Sequence, residues 1–292
     1  MNLLANLLNT LPSVIGAAAV APSLLILWTV ASMDNRREPA RVVLIAFLLG
    51  AVGAFLISYV RLPDAGALLG WPVLQSYVVA TVNVASPEEA LKLIVLVFFC
   101  SRYIAHDHPM EGVVYGAAVG LGFAAFENLA YLGSNPEVWK SLALIRGLFT
   151  VPVHGALGVI IGIFAVEARF GSLRGDKPVR RLRITSYLAG WGIATVLHGL
   201  FDFPLLLQRQ LAPGESSAAV WWLGAGLAAA GIVTLVAARI IYSARRLQAA
   251  EHNSFTHRRR FHNHPWHVTG LVMIVMFIAA LPLLGWARDM MG

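Results

Sequence analysis

Residues 73–103 read VLQSYVVATVNVASPEEALKLIVLVFFCSRY. A helix needs about 20 apolar residues to cross a bilayer, so this run is too long for one straight crossing. Ser86-Pro87 falls in its middle. Ser is a good N-cap and Pro a good first helical residue, so the run is expected to break there, with a new helix from Pro87. It is then one broken crossing or two short ones, and that choice orients every other span. The remaining apolar runs are 11–32, 41–60, 110–133, 142–168, 184–207, 218–242 and 267–287. If 73–103 crosses once, the gaps at 33–41, 169–183 and 243–262 share one side. They hold Arg36, Arg37 and Arg41, then Arg169, Arg174, Lys177, Arg180, Arg181 and Arg183, then Arg245, Arg246, Arg258, Arg259 and Arg260. The opposite gaps hold little beyond Arg61, Lys140, Arg209 and Arg288. Two crossings would put the first basic gap opposite the later two, against the cytoplasmic preference of Lys and Arg. The expected fold is all-α, a polytopic transmembrane bundle of about eight spans, the third broken at Ser86-Pro87, with both termini extracytoplasmic.

Composition agrees. The chain has 292 residues, 58% of them hydrophobic and only 13% charged, with a mean hydropathy of +0.70. Soluble domains run about 45–50% apolar and roughly 25% charged. A cytosolic enzyme, a nucleic-acid-binding module and a disordered protein are all poor fits, and the net charge of +7 lies in the gaps, where a lipid bilayer rather than nucleic acid is the partner. The runs are continuous, whereas barrel strands alternate. Trp71, Trp139, Trp221, Trp222, Trp266 and Trp286 lie near span ends, where indoles favour the headgroups. Cys100 is the single cysteine, so no intrachain disulfide is possible. Met1 to Pro12 lacks a basic n-region and a small-residue cleavage site, so no removed signal peptide is expected. Residues 1–292 read as one integral membrane domain without internal repeats. The stretch Arg245–His267 carries five of the nine histidines and reads as a solvated basic loop beside anionic lipid, with a metal-binding His cluster as the alternative.

Ionisable groups inside a span are costly and mark functional sites. The spans hold Glu88, Glu89 and Lys92; Glu127 with Asn128; Arg146 and His154; and His198 with Asp202. They sit on the third to sixth spans. Glu88 and Lys92 are four apart and expected to share a face, with Glu89 about 100° away; the bland reading is an ion pair plus acidic capping of a broken helix. Glu127 lies on a helix rich in small residues (Gly116, Ala117, Ala118, Gly120, Gly122, Ala124, Ala125), which lets neighbours approach and predicts a central place in the bundle. His198 and Asp202 are four apart, suiting two metal ligands or a His oriented by its carboxylate. Arg146 lies near the outer boundary and is expected to snorkel. At roughly 1.5 Å per residue, Glu127, His154, His198 and Asp202 all lie about 8–18 Å from the outer ends of their spans. Unrelated structural residues would not need to share a depth.

Carboxylates and imidazoles without a paired serine or cysteine nucleophile suit hydrolysis by an activated water. Two His and a Glu can hold zinc while a second Glu takes the proton, or Glu and His can activate the water without metal. The same inventory would serve a proton-coupled transporter, and a non-catalytic scaffold is a third reading. Transporters usually show repeats and paired broken helices, and this chain has one broken segment.

Glu-Glu-Ala-Leu-Lys at 88–92 matches EExxK, Phe123 to Glu127 matches FxxxE, and His198 to Asp202 matches HxxxD. In this order the chain resembles the PrsW family of bacterial intramembrane proteases, within the larger group of CAAX prenyl and bacteriocin-processing proteases. Ala21-Pro22, Asp34, Glu38-Pro39, Glu111-Gly-Val-Val-Tyr-Gly-Ala and the His154 helix ending near Ala168-Arg-Phe170 are similar too. The resemblance covers a protease-like core at 21–205; 206–292 adds two spans and the basic cytoplasmic loop. It implies a multi-pass protein of the bacterial cell membrane. The implied activity is an intramembrane endopeptidase cutting a single-pass membrane-anchored substrate, often an anti-sigma factor, near the outer face. The implied catalytic residues are Glu88, Glu89, Lys92, Glu127, His198 and Asp202. Glu127, His154 and His198 are the expected zinc ligands, and Phe123 and Asn128 the expected substrate contacts. Prenyl proteases carry His where this chain has Glu127, which argues against a prenylated substrate.

Overall fold

A lipid environment offers no partners to backbone N–H and C=O groups, so a chain of long apolar runs satisfies them within helices. The computed structural model describes residues 13–60, 62–67, 69–100, 109–170, 180–208 and 216–255, and among them it contains helices and no strand. The helices are α1 (Ser13–Ser32), α2 (Ala40–Ile57), α3 (Pro72–Val78), α4 (Ser86–Phe98), α5 (Pro109–Ser134), α6 (Trp139–Ile145), α7 (Val151–Phe170), α8 (Arg180–Gln208) and α9 (Ser216–Phe255). Two π-helical stretches join α3 to α4 (Val79–Ala85) and α6 to α7 (Arg146–Thr150). Among the described residues, six helices are long and apolar enough to cross a membrane. The expected span at 267–287 lies outside the described residues.

The third run is one continuous rod. Ala85 and Ser86 both keep right-handed helical angles, and Ser86 caps nothing. The break expected at Ser86-Pro87 is instead a change of helix type: the α-helix widens over Val79–Ala85 and resumes with Pro87 in its first turn. Proline lacks an N–H and its ring presses on the carbonyl four residues back, so the turn before it opens. Pro152 has the same effect on Arg146–Thr150. The rod from Pro72 to Phe98 is about 40 Å long at roughly 1.5 Å per residue, enough for a single crossing.

α5 and α7 form the centre. Gly116 and Gly158 face each other so closely that a Cβ on either would strike the other's carbonyl, and Gly112 and Gly162 repeat the arrangement one turn away. Lipid tails give no hydrophobic drive for helix pairing, so this backbone-to-backbone approach supplies the dispersion contacts instead. α2 packs on the other side of α5, where Gly122 meets the Phe47 carbonyl. α8 closes against α7 and the first π stretch, with Gly199 against Thr81. α9 runs to Phe255, well past the apolar limit at 242; the first part of the expected basic loop is helical because Ser243-Ala-Arg-Arg-Leu-Gln-Ala-Ala-Glu251 is rich in helix formers.

Candidate active site

Two prolines and one tight helix pair bring four segments to one place. The first π stretch delivers Glu88 and Glu89 at the start of α4. The second delivers His154 at the start of α7. α5 brings Phe123 and Glu127, and α8 brings His198 and Asp202, the four-residue spacing stacking the last two on one face.

Lys92 Nζ donates to Glu89 Oε1 at 2.6 Å and lies 2.9 Å from His154 Nδ1. An ammonium only donates, so Nδ1 accepts and the opposite ring nitrogen faces Glu127, with Nε2 to Oε2 at 2.8 Å. His198 Nδ1 lies 2.7 Å from the same Glu89 Oε1, and its Nε2 lies 3.2 Å from Asp202 Oδ2 and 3.9 Å from Glu88 Oε2. The two imidazoles meet edge to face at 5.0 Å, Phe123 lies 5.4 Å from the His154 ring, and Lys92 stands over Phe123 at 4.6 Å. Glu89, Lys92, His154 and His198 are buried. Glu88 and Glu127 line a cavity of about 260 Å³ between α2, α5 and the first π stretch.

Glu88, Glu89, His154 and His198 each offer a ligand atom within 4.8 Å of the other three. Glu88 Oε2 and Glu89 Oε2 are buried and make no hydrogen bond among the described residues. Two uncommitted carboxylate oxygens beside two imidazoles match zinc in donor type and number, and a metal there would replace one existing contact at each ring, since His154 is engaged by Lys92 and Glu127 and His198 by Glu89 and Asp202. Glu127 stands outside this group: its carboxylate is held by His154 and by Arg146 Nη2 at 3.0 Å. The close ion pair on α4 joins Lys92 to Glu89, three residues back, not to Glu88 four back. The inward face of α4 carries Glu89 and Lys92, leaving Glu88 turned to the cavity. Asn128 faces away from the cavity, donating to the Ala19 carbonyl at 3.3 Å and accepting from Arg146 Nε at 2.8 Å.

Arg146 is buried and points inward, where snorkelling to the boundary was expected. Besides Glu127 and Asn128 it stacks on Tyr131, 4.0 Å from the ring centroid. Its counter-charge is 19 positions away on another helix, so only the coincidence of two ionisable residues in neighbouring spans could have pointed to it.

A polytopic helical bundle that buries acids, imidazoles and a potential metal group beside a cavity has the layout of an intramembrane hydrolase. Residues 38–230 match the family described as PrsW family intramembrane metalloprotease, and the chain belongs to that family: it is an intramembrane protease of a multi-pass bacterial membrane protein type. Among curated relatives, Protease PrsW of Geobacillus kaustophilus is 31% identical over 210 residues, 70% of this chain and 87% of the relative. Protease PrsW of Bacillus subtilis is 32% identical over 193 residues, 65% and 81% respectively. Protease PrsW of Clostridioides difficile is 26% identical over 199 residues, 66% and 80%. No solved structure matches the chain. Family membership decides against the transporter reading.

Proposed function

We propose that Glu88 is the general base of this protease, hydrolysing a peptide bond of a single-pass membrane protein in the outer half of the membrane. One observation carries the assignment: of the two carboxylates on the cavity wall, Glu127 Oε2 is paired closely with His154 and Arg146, whereas the buried Glu88 Oε2 makes no hydrogen bond and has His198 Nε2 no nearer than 3.9 Å. A base must reach the proton it takes, and a water in the cavity lies within that reach. Glu89 is the organising carboxylate, accepting from Lys92 and holding His198. Asp202 fixes the other side of His198, and Glu127 fixes His154. His154, His198 and Glu89 would hold a zinc ion. Bound there, zinc would polarise the scissile carbonyl and acidify the attacking water. Lys92 keeps the carboxylates from repelling one another. An anti-sigma factor is the candidate substrate that the family resemblance suggests. Both termini are extracytoplasmic in this reading, which puts the site toward the outer face.

Purified protein with a single-pass substrate tests the reading. Glu88→Gln should lose about 10³-fold or more in kcat while remaining folded, since it removes the base and keeps the shape. His198→Ala should lose bound zinc with activity, and 1,10-phenanthroline should inhibit the wild type reversibly. Full activity in folded Glu88→Gln removes the residue from the role. Activity with far less than one zinc per chain removes the metal.

A further inference from the structure

The cavity has a chemistry of its own, apart from the groups that act on the peptide bond. We infer that it is a selectivity pocket that admits an uncharged, apolar side chain of the substrate residue next to the scissile bond. The inference rests on Glu88 marking the reaction centre.

Three helical faces make the wall. Ala54 and Ile57 come from α2, Val84 from the first π stretch, and Phe126, Ala130 and Tyr131 from α5. On α5 the spacing of Phe123, Phe126, Glu127, Ala130 and Tyr131 is one stripe, so Glu127, which holds His154, and the apolar wall belong to one helix face, and Glu88 joins the cavity from α4. Of the polar side chains on the wall, three are engaged with the protein, while Tyr131 gives its ring face to Arg146 and keeps its hydroxyl without a hydrogen bond among the described residues. Ser58 Oγ donates to the Phe55 carbonyl at 2.7 Å. The Asn83 amide is tied to the loop at both ends, accepting from the Ala65 N–H at 3.0 Å and donating to the Pro63 carbonyl at 2.6 Å. Glu127 is held by Arg146 and His154. Glu88 Oε2 has neither a hydrogen bond nor a close ion pair, its nearest cation partner being His198 Nε2 at 3.9 Å.

Hydrogen-bond accounting then selects the occupant. An amide or hydroxyl entering from water would leave its full shell and find, besides Glu88, little more than the Tyr131 hydroxyl to replace it. An acidic side chain would meet two carboxylates. A basic one would have to pair with Glu88, the group the reaction needs free. An apolar side chain loses nothing. The volume of about 260 Å³ is room for a peptide unit and one medium side chain. Ala54 and Ala130 leave that room, and a larger residue at either would take it.

The experiment uses the full-length protein in lipid nanodiscs with single-pass reporters. These share one transmembrane helix and carry Ala, Leu, Phe, Asn, Asp or Lys in turn at each position flanking the bond cleaved, located by mass spectrometry. On one side of the bond, Leu and Phe should be cleaved at least about 10-fold better than Asn, and Asp and Lys least. Ala130→Leu and Ala54→Leu should each lower the Leu-to-Ala and Phe-to-Ala ratios of kcat/KM at least about 10-fold. A ratio within one preparation does not depend on the folded fraction, so poorly folding variants still report. Equal cleavage of Asp, Lys and Leu reporters overturns the pocket, as do variants that slow all reporters alike. A wild type that cleaves none of them overturns the reading of the site itself, and the pocket with it.

Discussion

Arg146 brings its charge into the bundle between two acceptors on α5, Glu127 and Asn128, with the Tyr131 ring beneath it. A guanidinium presents its donors in a fixed plane, so it can hold a carboxylate and an amide at once, whereas an ammonium cannot reproduce that fork. Removing it would leave the buried Oε2 of Glu127 with its His154 contact alone, which is costly for a charged group. Arg146→Gln should therefore lower kcat about 10- to 100-fold with KM little changed, and Arg146→Lys should recover part of the loss. Glu127→Gln with Arg146→Gln should be no worse than Glu127→Gln alone, because the two act as one unit. Steady-state kinetics on the four proteins check this; additive losses would separate the residues. At this scale the sequence shows which residues are out of place in lipid, because an ionisable side chain in an apolar run needs no structure to be noticed. It does not show where each one points. Glu88 and Glu89 are adjacent in sequence and differ in role because one faces the cavity and the other the interior. Asn128, beside a site residue, turns toward α1.

Each π stretch places one extra residue in the turn before a site residue, and π turns are frequent at functional sites. An α-helix advances about 100° per residue. Deleting one residue from Val79–Ala85 would return that stretch toward α-helix and swing α3 and α4 by about that angle relative to each other. Both halves pack against α8, so one of them must leave its seat. Deleting Val82, a half-exposed residue, should cut activity more than about 10-fold with helix content preserved. Val82→Ala, which keeps the register, should stay near wild type. Circular dichroism and cleavage rates on the two variants decide; an active deletion would show that the phase is irrelevant. The proline signal was legible in the sequence as an interruption, but not its form. A lost hydrogen bond can end a helix or widen it, and packing on α8 selects between them. The glycines behaved as their composition predicts, because lateral approach of α5 and α7 depends on side-chain size alone.

The whole molecule is held at the end away from the site by a two-way contact. Gln248 Nε2 donates to Asp34 Oδ1 at 2.7 Å, and its Oε1 accepts from the Asn35 N–H at 3.1 Å, with both side chains buried. Gln248→Ala should lower stability by about 1–3 kcal/mol, the cost of leaving buried polar groups unpaired. Asp34→Ala with Gln248→Ala should fall well short of the sum of the single changes. Thermal unfolding in detergent measures both, and strict additivity would mean the two residues do not act together. Orientation has its own check. A cysteine replacing Ser172 in a Cys100→Ser background should resist an impermeant maleimide added to intact spheroplasts, and labelling there would invert the proposed topology. The span pattern was legible from hydropathy; the contact between residues 34 and 248 was not, since a lone Gln in a basic stretch carries no sign of its partner. That separation of 214 residues also has a meaning in time. At roughly 5–20 residues per second, about ten to forty seconds of synthesis pass between the appearance of Asp34 and that of Gln248. The first two helices are inserted before their closing partner exists, so newly made protein spends that interval unlatched and open to the membrane's quality-control proteases.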